Sequence, residues 1–72
     1  MKVERDQAEI KIKWDVKNKN DMEEAKRFFM NLTKQGWLAV YISKKNGKQH
    51  RALEFIDTQG ELYFILSLKA DN

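Results

Sequence analysis

Cysteine and proline are absent from this 72-residue sequence, glycine occurs three times and histidine once. Without cysteine the chain forms no disulfide and offers no thiolate ligand to a metal ion. A zinc site needs several converging nitrogen or sulfur donors, and His50 alone does not supply them. Each glycine is explained by a turn or a helix end, so no glycine-rich phosphate loop remains. The sequence therefore predicts no metal and no cofactor.

Catalytic patterns are also missing. The serines and threonines stand in no nucleophile motif, and His50 has no evident aspartate that would orient it as a general base. A catalytic lysine needs a desolvated amine, whereas most lysines here are expected at the surface. We expect a protein that is not an enzyme and that binds no small-molecule substrate.

Long apolar segments are lacking as well. The longest apolar run, residues 62–66, is too short to cross a bilayer, and no apolar stretch follows the charged residues 1–6. We therefore predict no targeting segment and no membrane contact. The absence of cysteine fits a reducing compartment. We expect a soluble, cytoplasmic protein that forms one domain over residues 1–72, with frayed ends at 1–7 and 69–72.

Alternation of apolar and charged residues predicts a first strand over residues 8–16. Three further strands are predicted over residues 37–43, 50–56 and 61–68, with turns at 46–47 and 57–60. A helix precedes these three strands, capped by Asn20 or Asp21 and ended by Gly36. At 100° per residue its apolar stripe comprises Met22, Ala25, Phe28, Phe29 and Leu32.

These elements predict an α+β fold in the order β-α-β-β-β. A single helix packs on one face of a four-stranded sheet, and the last three strands form an antiparallel meander. The first strand lies beside either the second or the fourth strand, and both positions stay open. We favour the fourth, because its apolar character suits an interior strand.

The Asn46-Gly47 pair predicts a two-residue type I′ turn, which sets the register of the central hairpin. Tyr41 then pairs with Ala52. The face predicted to meet the helix comprises Leu38, Val40, Leu53 and Phe55. The opposite face comprises Trp37, Ala39, Tyr41, Ala52 and Ile56. The outward side of the last strand stays open, because a bulge at Gly60 would change its register; one choice adds Tyr63 and Ile65 to the outward set.

One helix covers only one face, so the other face of the sheet is predicted to expose an apolar and aromatic patch. We therefore predict a small non-enzymatic binding module that acts in protein–protein interaction or homo-oligomerisation, most simply as a dimer. The candidate interface residues are Trp37, Ala39, Tyr41, Ile56, Tyr63 and Ile65. The alternative, a terminal segment folded over the patch, is disfavoured because both ends are short and polar.

A second hypothesis is binding of single-stranded nucleic acid through the hairpin 44–51, which holds no acidic residue. Its candidate residues are Lys44, Lys45, Lys48, His50 and Arg51. Phosphates would meet the cations while bases stack on Trp37 and Tyr41. The net charge of +3 permits an acidic partner without requiring one. The competing interpretation is a solvated hairpin that keeps a small protein soluble.

Overall fold

Five strands and one helix form the part of the chain that the computed structural model describes, residues 1–66. The elements are β1 (Lys2–Arg5), β2 (Glu9–Lys13), α1 (Lys19–Lys34), β3 (Trp37–Ile42), β4 (Gln49–Arg51) and β5 (Glu61–Leu66). All strand pairs are antiparallel, and the sheet order is β1-β2-β5-β3-β4. The α+β class is confirmed, whereas the four-stranded sheet is wrong. Within residues 1–66, no helix is long and apolar enough to cross a membrane.

The additional strand, β1, lies where the sequence predicts a frayed N-terminus. It pairs with β2 from Lys2↔Lys13 to Arg5↔Ile10. The hairpin that joins the two strands is closed by the Asp6 amide, which donates to the Glu9 carbonyl at 2.8 Å. The backbone ladder therefore orders a segment whose side chains carry no apolar pattern. The predicted fray at 69–72 and the last two residues of the predicted final strand lie outside the described residues.

The N-terminus is also held by the loop before the helix. Met1 packs against the core, and its ammonium binds the carboxylate of Asp21. The other carboxylate oxygen of Asp21 accepts the Asp15 amide at 2.7 Å. The Met1 ammonium, and after it this amide, lowers the pKa of Asp21 below its ordinary value. One carboxylate thus ties β1 to the β2–α1 connection.

Helix α1 begins two or three residues earlier than a cap at Asn20 or Asp21 predicts. Asn18 is the N-cap: its backbone is extended, and its side-chain oxygen accepts the Asp21 amide at 3.0 Å. The predicted end is confirmed, since Gly36 follows the C-cap with a φ of +102°. The predicted apolar stripe faces the core, where Ala25, Phe29 and Leu32 are buried and Met22 and Phe28 are partly buried.

The predicted C-terminal meander is wrong, because β3 pairs directly with β5 and β4 lies on the other side of β3. β4 is only three residues long, and the chain then returns past β3 on the helix side. Phe55 marks this return: its ring centroid lies 5.0 Å from that of Trp14 and 5.9 Å from that of Phe29. β2 pairs with β5, which is the position favoured for the first strand.

The hairpin between β3 and β4 has a longer loop than the Asn46-Gly47 signal predicts. Tyr41 pairs with His50 instead of Ala52. The Ser43 amide donates to the Lys48 carbonyl at 2.8 Å, so four residues, 44–47, form the loop. A type I′ turn needs a positive φ at both central residues, and within residues 1–66 only glycines have one. Because the register differs by two residues, the paired residues 49–51 keep the side of the sheet, relative to β3, that the predicted register gives them.

Candidate interaction face

The helix covers one face of the sheet, and this face forms the core. Phe64 is fully buried at its centre, with ring centroids 6.0 Å from Phe28 and 6.2 Å from Phe29. The register aligns Phe64 with Ile10 of β2 and with Ala39 of β3, which are both buried. Side chains alternate along a strand, so the residues between these point to the opposite face.

We call this opposite face the open face. Its positions follow from the strand registers and form three rows across the sheet. The first row comprises Glu9, Ile65 and Leu38. The middle row comprises Glu4, Lys11, Tyr63, Val40 and Arg51. The third row comprises Lys2, Lys13, Glu61, Ile42 and Gln49. Within residues 1–66 the structure places no second helix over it.

The predicted assignment of the two faces of β3 is wrong. Ala39, predicted outward, is 1% exposed in the core, and Trp37 and Tyr41 pack against the same core. The reason is size: the helix approaches β3 more closely than any other strand, and alanine leaves it room. Leu38 and Val40, predicted inward, lie on the open face instead.

The other candidate interface residues divide in the same way. Tyr63 and Ile65 occupy the open face, as one of the two alternatives for the last strand predicts. Ile56 is half-buried in the segment between β4 and β5 and belongs to no strand. Leu53, predicted to face the helix, is 82% exposed beyond the end of β4. Phe55 is the one member of the predicted inward set that packs on the core.

Five of the thirteen positions in these rows are apolar. They are Leu38, Val40, Ile42, Tyr63 and Ile65 of β3 and β5, and we call them the apolar block. Val40 is 8% exposed although it lies outside the core cluster, because its neighbours on β5 and β4 shield it. Ile42, at the other end of the strand, is 37% exposed. The block continues towards Leu53, which lines a shallow cleft with Leu38.

The part of the open face that comes from β1 and β2 carries only charged residues, and we call it the charged half. Lys11 forms an ion pair with Glu61, with 2.9 Å between Nζ and Oε2, and its Nζ lies 5.3 Å from the ring centroid of Tyr63. The hydrogen bond to Glu61 raises the pKa of Lys11 above its ordinary value. At the boundary between the charged half and the apolar block, the charges of Lys11 and Glu61 therefore balance each other.

The two edges of the sheet are poor docking sites. β4 offers a ladder of only three residues, and β1 presents the exposed charges of Lys2, Glu4 and Arg5. Short and charged edge strands resist pairing with another chain. The open face is consequently the surface of the sheet that is better suited to contact another protein.

The basic hairpin is exposed, but it is separated from the aromatic residues predicted to assist it. Lys44, Lys45, Lys48, His50 and Arg51 are all exposed, and none of them forms an ion pair within residues 1–66. The structure brings one pair together, because the rings of His50 and Tyr41 stack at 5.4 Å between centroids. Trp37 and Tyr41 otherwise face the helix, while Arg51 lies on the open face.

Acidic residues and histidine do not converge in the described part of the chain: residues 1–66 contain no group of three or more that could hold a metal ion. Comparison with protein-family models, with curated proteins and with solved structures finds no match to this chain.

Proposed function

We propose that this domain is a small, non-enzymatic protein-interaction module that self-associates through the open face of its sheet. The observation that carries the proposal is the apolar block, five adjacent side chains on two strands with the helix on the other side of the sheet. A contiguous apolar patch that is rimmed by charged residues is typical of a protein-interaction site. Burial of the block in an assembly removes this surface from water.

The helix offers no comparable surface. Met30 is 57% exposed on its outer side, but its neighbours Lys26, Arg27 and Lys34 are exposed charges. A single exposed apolar residue is common on monomeric proteins and needs no partner. Met30 therefore serves as a matched control for the open face.

The size of the open face predicts a weak association. Five strands about 4.8 Å apart, each about five residues long at about 3.3 Å per residue, span roughly 19 Å by 17 Å. That projected area, about 320 Å² per chain, is well below the roughly 800 Å² per partner of a standard stable interface. We therefore expect a reversible, concentration-dependent assembly instead of an obligate one.

Sedimentation equilibrium tests the proposal directly. For the native chain we expect the average mass to rise above the 8.6 kDa of one chain between about 10 µM and 1 mM. Ile42→Lys introduces a charge into the apolar block and should hold the chain at one copy. Met30→Lys should leave the rise unchanged. A native chain that stays monomeric throughout, or equal losses in both variants, contradicts the proposal.

Nucleic-acid binding remains the alternative function. The exposed cations of the hairpin 44–51 favour it, and the position of Trp37 and Tyr41 against the helix counts against it. Titration with a single-stranded oligonucleotide at two salt concentrations separates the two functions. Nucleic-acid affinity falls steeply with salt, by a logarithmic slope of about −0.7 per neutralised phosphate, whereas apolar association changes little.

A further inference from the structure

In the charged half of the open face, the sign of the charge differs between the two ends of the strands. Glu9 stands in the row of Ile65, and Lys13 stands in the row of Glu61 at the other end of β2. β1 repeats the pattern, because Lys2 pairs with Lys13, while Asp6 is bonded through its amide to the carbonyl of Glu9. One end of this half is therefore acidic and the other end is basic.

We infer that the partner of the open face is a second copy of this chain, related to the first by a two-fold axis that crosses the strands at the middle row. This inference rests on the proposed self-association. Rotation about such an axis turns each strand end for end, so the acidic end of one copy meets the basic end of the other. Glu9 then faces Lys13 of the second copy, and symmetry forms the pair twice.

The same rotation places four of the five members of the apolar block on one another, while the fifth, Ile65, meets Glu61 of the second copy. Val40 and Tyr63 lie near the axis, and Leu38 meets Ile42 of the second copy. Lys11 also lies near the axis, where its ion pair with Glu61 already balances its charge. Two face-packed sheets align within about 30°, which is compatible with antiparallel strands across the contact.

A two-fold axis that runs along the strands is the main competitor. If this axis lies between β5 and β3, each row of one copy faces the same row of the second copy, and β2 lies over β4 of the second copy. Lys11 then opposes Arg51, which brings two cations together in both halves of the interface. Placed on β5, it lays Lys11 over Val40 and covers apolar surface with charge. The axis across the strands also brings Glu4, Lys11 and Arg51 each against its own copy, but only once per assembly, and it alone joins the opposite charges of Glu9 and Lys13. Arg51 lies at the rim, where its charge stays hydrated.

Charge reversal at Glu9 and Lys13 tests this arrangement, since both side chains are exposed. Glu9→Lys or Lys13→Glu alone brings like charges together twice in the assembly. Each variant should weaken self-association about tenfold at low ionic strength. An equimolar mixture of the two variants restores both pairs, and so does the double variant. Both should return to the native dissociation constant, measured by sedimentation equilibrium.

Three outcomes decide the inference. Weakened single variants with a restored mixture and a restored double variant support it. Native-like single variants, or a mixture no tighter than its components, overturn the two-fold arrangement, while loss of assembly in Ile42→Lys still supports the proposed function. A native chain that is monomeric at 1 mM, or that assembles only with added oligonucleotide, overturns both.

Discussion

Truncation of Phe64 is the sharpest test of the core. Phe64 is fully buried, and its ring packs against Phe28 and Phe29 of the helix. Replacing a buried phenylalanine by alanine removes its transfer free energy and leaves a cavity, at a combined cost of about 3–5 kcal/mol. A domain of 72 residues has a free energy of unfolding of about 4–11 kcal/mol. Phe64→Ala should therefore remove between about a quarter and all of the stability.

Tyr63 is the matched control, because it precedes Phe64 in β5 and points to the open face. Its ring is half-buried and lies under the Nζ of Lys11 without being enclosed. Tyr63→Ala should cost about 1 kcal/mol, through lost strand propensity and partial burial. Two adjacent residues of one strand thus differ about threefold in their expected effect, and the difference arises solely from the face each occupies.

Urea denaturation measures both variants, followed by circular dichroism and by the fluorescence of Trp14 and Trp37. A protein concentration near 1 µM keeps self-association from adding to the stability. Phe64→Leu, which retains most of the volume, provides a readable value if Phe64→Ala fails to fold. Equal losses in Tyr63→Ala and Phe64→Ala, or a loss below about 1 kcal/mol for the latter, would refute the face assignment.

Three further predictions concern the connections. Asn18→Ala should lower the unfolding free energy by about 1 kcal/mol through loss of the helix cap, and an unchanged thermal midpoint would contradict this. Gly60→Ala should lower the unfolding free energy by at least about 1 kcal/mol, because Gly60 has a φ of +79° and a Cβ there would lie 3.4 Å from Val16 Cγ1. Chemical denaturation measures this loss, and an unchanged unfolding free energy would argue against the left-handed turn. The lowered pKa of Asp21 provides stability above the unfolded pKa of about 3.9 that is lost as pH falls through the folded value. Asp21→Asn should remove this part of the acid transition, whereas an identical pH profile would exclude the ion pair with Met1.

Features determined by neighbouring residues could be predicted from the sequence. The helix follows from its apolar stripe, and its end follows from Gly36, whose positive φ is a local property. The inward side of β2 also follows, because Ile10, Ile12 and Trp14 alternate with charged residues and are all buried. In each case the signal lies within a few residues of the feature that it determines.

Features determined by distant residues could not be predicted. β1 carries mainly polar side chains and owes its place to the backbone ladder with β2 and to the contact of Met1 with Asp21. The return of residues 52–60 across the helix side depends on the packing of Phe55 against Trp14 and Phe29. No local pattern separates this course from a meander, since both begin with the same hairpin.

The inversion of the two faces of β3 has a different cause. Both faces are apolar, so alternation distinguishes them without telling which one meets the helix. The hairpin register groups Leu38 and Val40 with Leu53 and Phe55 as the set predicted to meet the helix, but close packing of a helix on a strand favours a small side chain at the point of contact. Ala39 lies there, buried in the same cluster as Ala25 of the helix. In a sheet with one helix and two apolar faces, side-chain volume at the closest contact determines which face is left for a partner. Here Ala39 admits the helix between Trp37 and Tyr41, and Leu38 and Val40 are left on the open face.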